Sequence, residues 1–180
     1  LVQPVPESLD GPWYISCDYG TVNPTSMGLW GQKGGVWYRT AEFYYDSRKT
    51  GRQQTDGEYA DDLARLAGGR DIRGVVLDPS AASFREELIR RGWTVYRAEN
   101  EVLSGIRRTA ELLRAGQLVI CSPCEDAIRE FGLYRWDTAA TGDRVVKEHD
   151  HAMDDIRYFA VTVASRRSEG FFAGAVERSG

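Results

Sequence analysis

The sequence predicts a mixed α/β sheet in which three antiparallel strands are followed by alternating helices and strands, with helices on both faces. Three observations carry this. Three β-rich runs fall within the first 45 residues, and the second and third are joined by Gln-Lys-Gly-Gly at 32–35. Beyond residue 55 the apolar positions change to spacings of four and three, the period of a helix. Most of the helical stretches then stop at glycine and lead into a short apolar run.

Taken in order, Trp13–Asp18, 25–31 and Val36–Tyr45 read as the three strands, and the Gly-Gly pair as a hairpin turn. Residues 55–66 read as a helix with Tyr59, Leu63 and Leu66 on one face and Thr55 with Glu58 as a capping box. A buried strand is expected at 74–77, followed by Asp78-Pro-Ser. A helix at 81–91, a strand at 94–96 and a helix at 102–115, with Ile106, Ala110 and Leu113 inward, come next. Leu118–Cys121 is a strand, 123–133 a helix, 134–143 a loop and 148–166 the last helix. Residues 1–12 read as a linker and 167–180 as a polar, Gly-rich tail, so the folded unit is expected over 13–166. The order β-β-β-α-β-α-β-α is that of a ribonuclease-H-like fold; another open α/β sheet is the alternative.

Composition narrows the class. The chain has 180 residues, 42% of them hydrophobic, which suits one domain with a real core. No run approaches the roughly 18 uninterrupted apolar residues of a membrane helix. A net charge of −4 argues against a globally cationic nucleic-acid coat but leaves room for a local basic track. Arg outnumbers Lys 20 to 3 among the 23 basic residues, and arginine suits phosphate and carboxylate forks. An odd count of three cysteines does not suggest a disulfide framework, and a reducing compartment is expected.

Acids at strand ends come next. Asp18 ends the first strand and Asp78 the fourth, and open α/β sheets build sites at carboxyl ends of strands. The plain reading is an Asx-turn to Gly20 for Asp18 and a helix cap for Asp78. A third cluster, His149-Asp-His151-Ala-Met-Asp154-Asp155, opens the last helix. Ala152, Ile156, Phe159, Ala160 and Val163 make its core stripe, while Asp154 heads a second stripe with Tyr158 and Val161. His151 lies three and four positions before Asp154 and Asp155, and acids at a helix start also complement its dipole. Three carboxylates from two strand ends and a helix form a hard oxygen site suited to Mg²⁺ or Mn²⁺, with two ions expected.

Arg48, Lys49 and Arg52 form a basic loop, and Lys147 precedes the acid cluster, so these four are candidate DNA contacts. Cys121-Ser-Pro-Cys124 sits between strand and helix, the placement of a thioredoxin-like redox pair. A zinc site from Cys121, Cys124, His149 and His151 is the other reading of these residues, with an unusually long central gap. A non-catalytic DNA-docking module would keep the basic loop and lose acids; all three acids are present.

The chain resembles the C-terminal nuclease domain of tailed-phage terminase large subunits, the DNA-packaging motors. The stretches are Trp13-Tyr-Ile-Ser-Cys-Asp18-Tyr-Gly-Thr, Tyr44-Tyr45 with Arg48-Lys-Thr-Gly-Arg52, Val75-Val-Leu-Asp78-Pro-Ser-Ala-Ala and Ala98-Glu-Asn-Glu-Val-Leu-Ser-Gly105-Ile. Tyr134-Arg-Trp136-Asp137 and Lys147-Glu-His-Asp-His151-Ala-Met-Asp154-Asp-Ile-Arg157-Tyr158 complete them. The resemblance implies metal ligation by Asp18, Asp78 and Asp154, with His151 and Asp155 in support, though the family often carries Ala at the position of Asp155. It implies a metal-dependent endonuclease cutting concatemeric double-stranded DNA at the start and end of packaging. A Holliday-junction resolvase of the same fold is the nearest enzymatic alternative. It further implies that residues 1–12 lead from an ATPase domain absent here, in keeping with the lack of a GxxxxGK[ST] motif. The implied partners of the full protein are that ATPase domain, the terminase small subunit and the portal. The domain alone is expected to be monomeric and to work in the host cytoplasm.

Overall fold

In the computed structural model, residues 2–133 and 150–166 are described. Seven strands form one mixed sheet in the order β1-β7-β4-β3-β2-β5-β6. They are β1 (Val2–Gln3), β2 (Trp13–Asp18), β3 (Thr25–Lys33), β4 (Val36–Tyr45), β5 (Ile72–Leu77), β6 (Val95–Arg97) and β7 (Leu118–Cys121). β2, β3 and β4 are antiparallel neighbours, while β5 and β7 join on either side in parallel. The β3–β4 turn places Gly34 and Gly35 at φ 57° and 80°. Two successive positive φ values define a type I′ turn, whose twist matches the strands it joins and which disfavours a side chain at either position.

Six helices flank the sheet: α1 (Ser47–Thr50), α2 (Asp56–Ala67), α3 (Ala82–Arg90), α4 (Val102–Arg114), α5 (Glu125–Leu133) and α6 (His151–Phe159). The last runs on into a π-helical segment, Ala160–Ala164. Alternation along the strands divides the core in two. Ile15 and Cys17 of β2 pack with Tyr59, Leu63, Phe84 and Leu88 of α2 and α3. On the other face Trp30, Trp37 and Ile120 pack with Leu112, Ala127, Ile156 and Phe159 of α4, α5 and α6. Thr55 caps α2 by accepting from the Glu58 amide, but the return half of the capping box is not formed, because the Glu58 carboxylate pairs with Arg52 at 2.6 Å.

The opening segment differs from the linker expected of it. Val2 and Gln3 pair in parallel with Ile120 and Cys121, so the sheet extends one strand beyond β7. α4 is also turned from its expected face: Gly105 and Leu112 are buried, whereas Ile106, Ala110 and Leu113 are only half-buried. At Gly105 the Arg157 side chain packs close, 3.0 Å from where a Cβ would stand. Among the described residues no helix is long and apolar enough to cross a membrane. The loop 134–143, the tail 167–180, Lys147 and His149 lie outside the described residues.

α6 is clamped to the sheet by a buried ionic network. The Asp155 carboxylate, wholly buried, accepts from both terminal nitrogens of the equally buried Arg39 on β4. It also accepts from Ser16 Oγ of β2 at 2.7 Å and Ser26 Oγ of β3 at 2.5 Å. Arg39 reaches Glu42 at 3.3 Å, and Glu42 in turn accepts from the Asp126 amide at 2.6 Å at the start of α5. Glu130 of α5 closes the loop by accepting from the Ala152 amide of α6 at 2.6 Å.

Breaking such a pair from one side strands a buried charge. Asp155→Ala and Arg39→Met are each expected to lower unfolding free energy by about 3–5 kcal/mol. The double variant Arg39→Met, Asp155→Leu should recover much of that loss. Urea unfolding of all three checks it, and additive losses in the double variant would contradict it.

Candidate active site

β2 and β5 run parallel as neighbours, with Cys17 opposite Leu77. Their carboxyl ends therefore deliver Asp18 and Asp78 to the same edge of the sheet. Asp18 does not form the expected Asx-turn: the Gly20 amide donates instead to Thr25 Oγ1 at 3.0 Å. The Asp18 carboxylate turns toward α6, where its Oδ2 lies 3.1 Å from His151 Nδ1. Asp78 does form a local turn, accepting from the Ser80 amide at 2.9 Å, and caps no helix, since the α3 N-cap position is Ala81. Asp154, one turn into α6, accepts from Arg157 at 3.0 Å.

These four residues line one open cleft of about 880 Å³, together with Asp150, Tyr158, Asp46, Arg48, Lys49 and Arg129. Burial, reinforced by the charges of Asp154 and Asp155, pushes the Asp18 carboxyl up to about 6 against the pull of His151. Burial alone would lower His151, but the hydrogen bond and charge of Asp18, with Asp150 and Glu130 beyond, outweigh it and raise the imidazole. The Tyr158 phenol is raised by burial and then by Asp18, Asp154 and Asp78 together, so one hydroxyl feels all three acids. A part-buried site that crowds carboxylates is short of positive charge, and its oxygen donors are those a hard cation takes. The donor set fits such a cation. The arrangement is open, however: among the described residues no three acidic, imidazole or thiol side chains already stand close enough to form a metal cluster.

Asp155, expected to support the metal, is turned away from the cleft. It is 0% exposed, and its oxygens are occupied by Arg39, Ser16 and Ser26. Arg48 and Lys49 of α1 line the cleft, whereas Arg52 does not and is paired with Glu58. Sequence reasoning missed Arg129 and Tyr158 as cleft residues and set Asp150 aside as a dipole partner. Asp150 occupies the α6 N-cap position without a side-chain cap bond and faces the cleft. The only sequence signal for Arg129 is its place three residues after Asp126, which reads as an ordinary surface pair.

The thiols are free and buried. Cys124 donates to the Arg39 carbonyl at 3.3 Å, and burial pushes Cys121 up to about 11 and Cys124 to about 12. A redox pair needs the opposite shift. The zinc reading finds no cluster among the described residues, and His149 is not one of them.

No family model matches the chain, and no curated protein does. Solved structures do. The large terminase of a thermophilic bacteriophage, in complex with ADP, superposes with a TM-score of 0.87 at 43% identity, over 90% of this chain and 42% of that one. Over nine-tenths of its length this chain is similar to a bacteriophage large terminase. It spans less than half the length of that ADP-bound relative. The P22 large terminase nuclease domain matches this chain with a TM-score of 0.68 at 20% identity, over 92% of this chain and 86% of that one. The nuclease of the thermophilic phage G20c, with bound magnesium, matches with a TM-score of 0.65 at 16% identity, over 88% and 84%. At these identities the likeness to the last two is one of fold. The fold is thus the ribonuclease-H-like one of terminase nuclease domains, as the strand order led one to expect.

Two outcomes follow for this chain. A carboxyl whose folded value of about 6 exceeds its ordinary 3.8 costs no stability below pH 4; the cost grows between 4 and 6 and is complete above. In metal-free buffer, the thermal midpoint of Asp18→Asn relative to wild type should therefore climb from pH 4 to 6.5 and then level off; a pH-independent difference would contradict this. Iodoacetamide at pH 8 should label the native thiols far more slowly than those of urea-unfolded chain, as mass spectrometry would count.

Proposed function

We propose that this domain is a divalent-metal-dependent endonuclease of a phage packaging terminase, cutting concatemeric double-stranded DNA when packaging starts and ends. The observation that carries the reading is the convergence of Asp18, Asp78, Asp154 and His151 on one cleft, in a fold shared with terminase nuclease domains. The G20c nuclease, solved with bound magnesium, supports the choice of a hard cation.

Asp18 would lie between two ions, with Asp78 and Asp154 each holding one. Mg²⁺ or Mn²⁺ bound there would lower the pKa of an attacking water and offset charge on the leaving 3′-oxygen. Arg157 holds Asp154 by one oxygen, which fixes the direction its carboxylate faces. His151, oriented through Nδ1 by Asp18, has Nε2 to contact a phosphate oxygen or relay a proton. The products would carry 5′-phosphate and 3′-hydroxyl ends. Arg48 and Lys49 would take backbone phosphates, with Arg52 and Lys147 as further candidate phosphate contacts. Such contacts grip without reading bases, so cutting would depend little on sequence.

Other steps of packaging belong to the rest of the protein. The large terminase solved with ADP is more than twice as long as the region matched. The nucleotide-driven step, and contacts with the small subunit and portal, are assigned to the part this chain does not span. The 43% identity to a terminase favours packaging over junction resolution, and the raised thiols remove support for the redox reading. We place the reaction in the host cytoplasm, with the isolated domain a monomer.

Asp→Asn at 18, 78 or 154 should each reduce Mn²⁺-dependent plasmid nicking by orders of magnitude with the fold intact, and His151→Ala by less. Nicking at full rate in EDTA would reject the metal mechanism; wild-type nicking by Asp154→Asn would reject that ligand.

A further inference from the structure

We propose that Arg129, lying over the Tyr44 ring, is a second phosphate grip of the cleft, holding the DNA backbone beside the cut; this rests on the nuclease reading above.

The placement comes from sheet register. Asp18 pairs with Ser26, and Ser26 with Tyr44, so the three stand in one cross-strand row on one face. Residues opposite one another in neighbouring strands share a face, and two strand spacings amount to about 10 Å. A group held at Tyr44 therefore meets a phosphate near the scissile one, while the scissile phosphate itself lies over the acids.

Tyr44 holds such a group. The Arg129 guanidinium carbon sits 5.4 Å from the Tyr44 ring centroid, and its side chain lines the cleft with 38% of its surface exposed. A planar guanidinium stacked on a ring keeps its N–H edges pointing outward, so less freedom is lost when a phosphate docks. Its present partners are Asp126 at 2.9 Å, itself 37% exposed, and the Tyr44 hydroxyl. An exposed pair of this kind contributes little, so a backbone phosphate can displace it or share the fork.

The support beneath Arg129 distinguishes it from the other cations. Glu42 accepts from the Asp126 and Ala127 amides, Arg39 holds Glu42, and Asp155 of α6 holds Arg39. Arg129 and the α6 residues His151 and Asp154 are thus carried by two helices fastened to one buried arginine. Arg48 sits on a single-turn helix with 59% of its side chain exposed. Arg129 is the cation whose distance from the acids the fold holds constant, as a grip that registers the backbone against the cutting centre requires.

The test is binding of a short fluorescent DNA duplex to the full 180-residue chain in EDTA, across a salt series. Arg129→Ala should lower the slope of log affinity against log salt by about 1, equally for duplexes of different sequence. Arg129→Lys should keep most of the slope but bind more weakly, since charge remains and the fork does not. Tyr44→Phe, which keeps the ring but loses the hydroxyl that meets Arg129, should bind between wild type and Arg129→Ala, and Tyr44→Leu should approach Arg129→Ala. Asp126→Asn should tighten binding, and that gain should vanish in an Arg129→Ala background, which a purely structural role for Arg129 does not give. Wild-type slope and affinity in Arg129→Ala, with Arg48→Ala weakened and Mn²⁺ nicking present, would overturn this inference alone. A wild-type chain that neither binds the duplex nor nicks plasmid would overturn the nuclease reading with it.

Discussion

The site depends on how α6 is laid on β2, and that rests on the bond between Asp155 and Arg39. Three positions spaced four apart on the helix meet three positions spaced two apart on the strand. His151 faces Asp18, Asp155 receives Ser16, and the Phe159 ring lies 6.3 Å from that of Tyr14. Four helical residues rise about 6.0 Å and two strand residues about 6.6 Å, so the antiparallel pair stays in step over two turns. An apolar stripe alone would allow the helix to slide. A buried carboxylate with a matched set of donors allows one position, because any slip strands a charge. The fold makes room for it at Gly28, where a Cβ would stand 1.9 Å from the Arg39 guanidinium.

The same bond separates two adjacent acids into different roles. Consecutive helical residues differ by about 100° in direction. With Asp155 fixed against the sheet, Asp154 must face the cleft, where Arg157 holds it. Arg157 is itself tied to the carbonyls of Asn100 and Glu101 at 3.0 and 3.3 Å. The position of Asp155 is therefore structural, occupied by the sheet's own donors.

Local signals were read well, and distant pairings were not. Trp13–Asp18, Val36–Tyr45 and Leu118–Cys121 have the bounds that β-rich runs and turn residues suggest. The strand ends Asp18 and Asp78 were legible because two short parallel strands bring their last residues together. Asp155 was misjudged because its partner Arg39 lies 116 positions away, and nothing local marks that arginine as buried. α4 was turned wrongly as well. Its sequence has a fair apolar stripe, while Arg157 from another helix packs close at Gly105. β1 was missed because two exposed residues carry no period, and pairing with β7 is visible only in three dimensions.

The charge layout reconciles a net charge of −4 with the polyanionic substrate proposed above. Acids occupy the cleft edge at β2 and β5, while Arg48, Lys49 and Arg129 extend from the β4 and β7 side. A backbone approaching this edge meets cations first and carboxylates last. The last step is unfavourable for the acids alone: Asp18 is already raised to about 6 by burial and by its neighbours, before any phosphate adds its charge. Neutralising the acids and seating the phosphate are therefore coupled. Whatever cation satisfies the carboxylates also makes room, electrostatically, for the backbone, and the flanking arginines supply binding that does not wait for it. On the nuclease reading proposed above, a domain built this way would hold DNA before it is able to cut it.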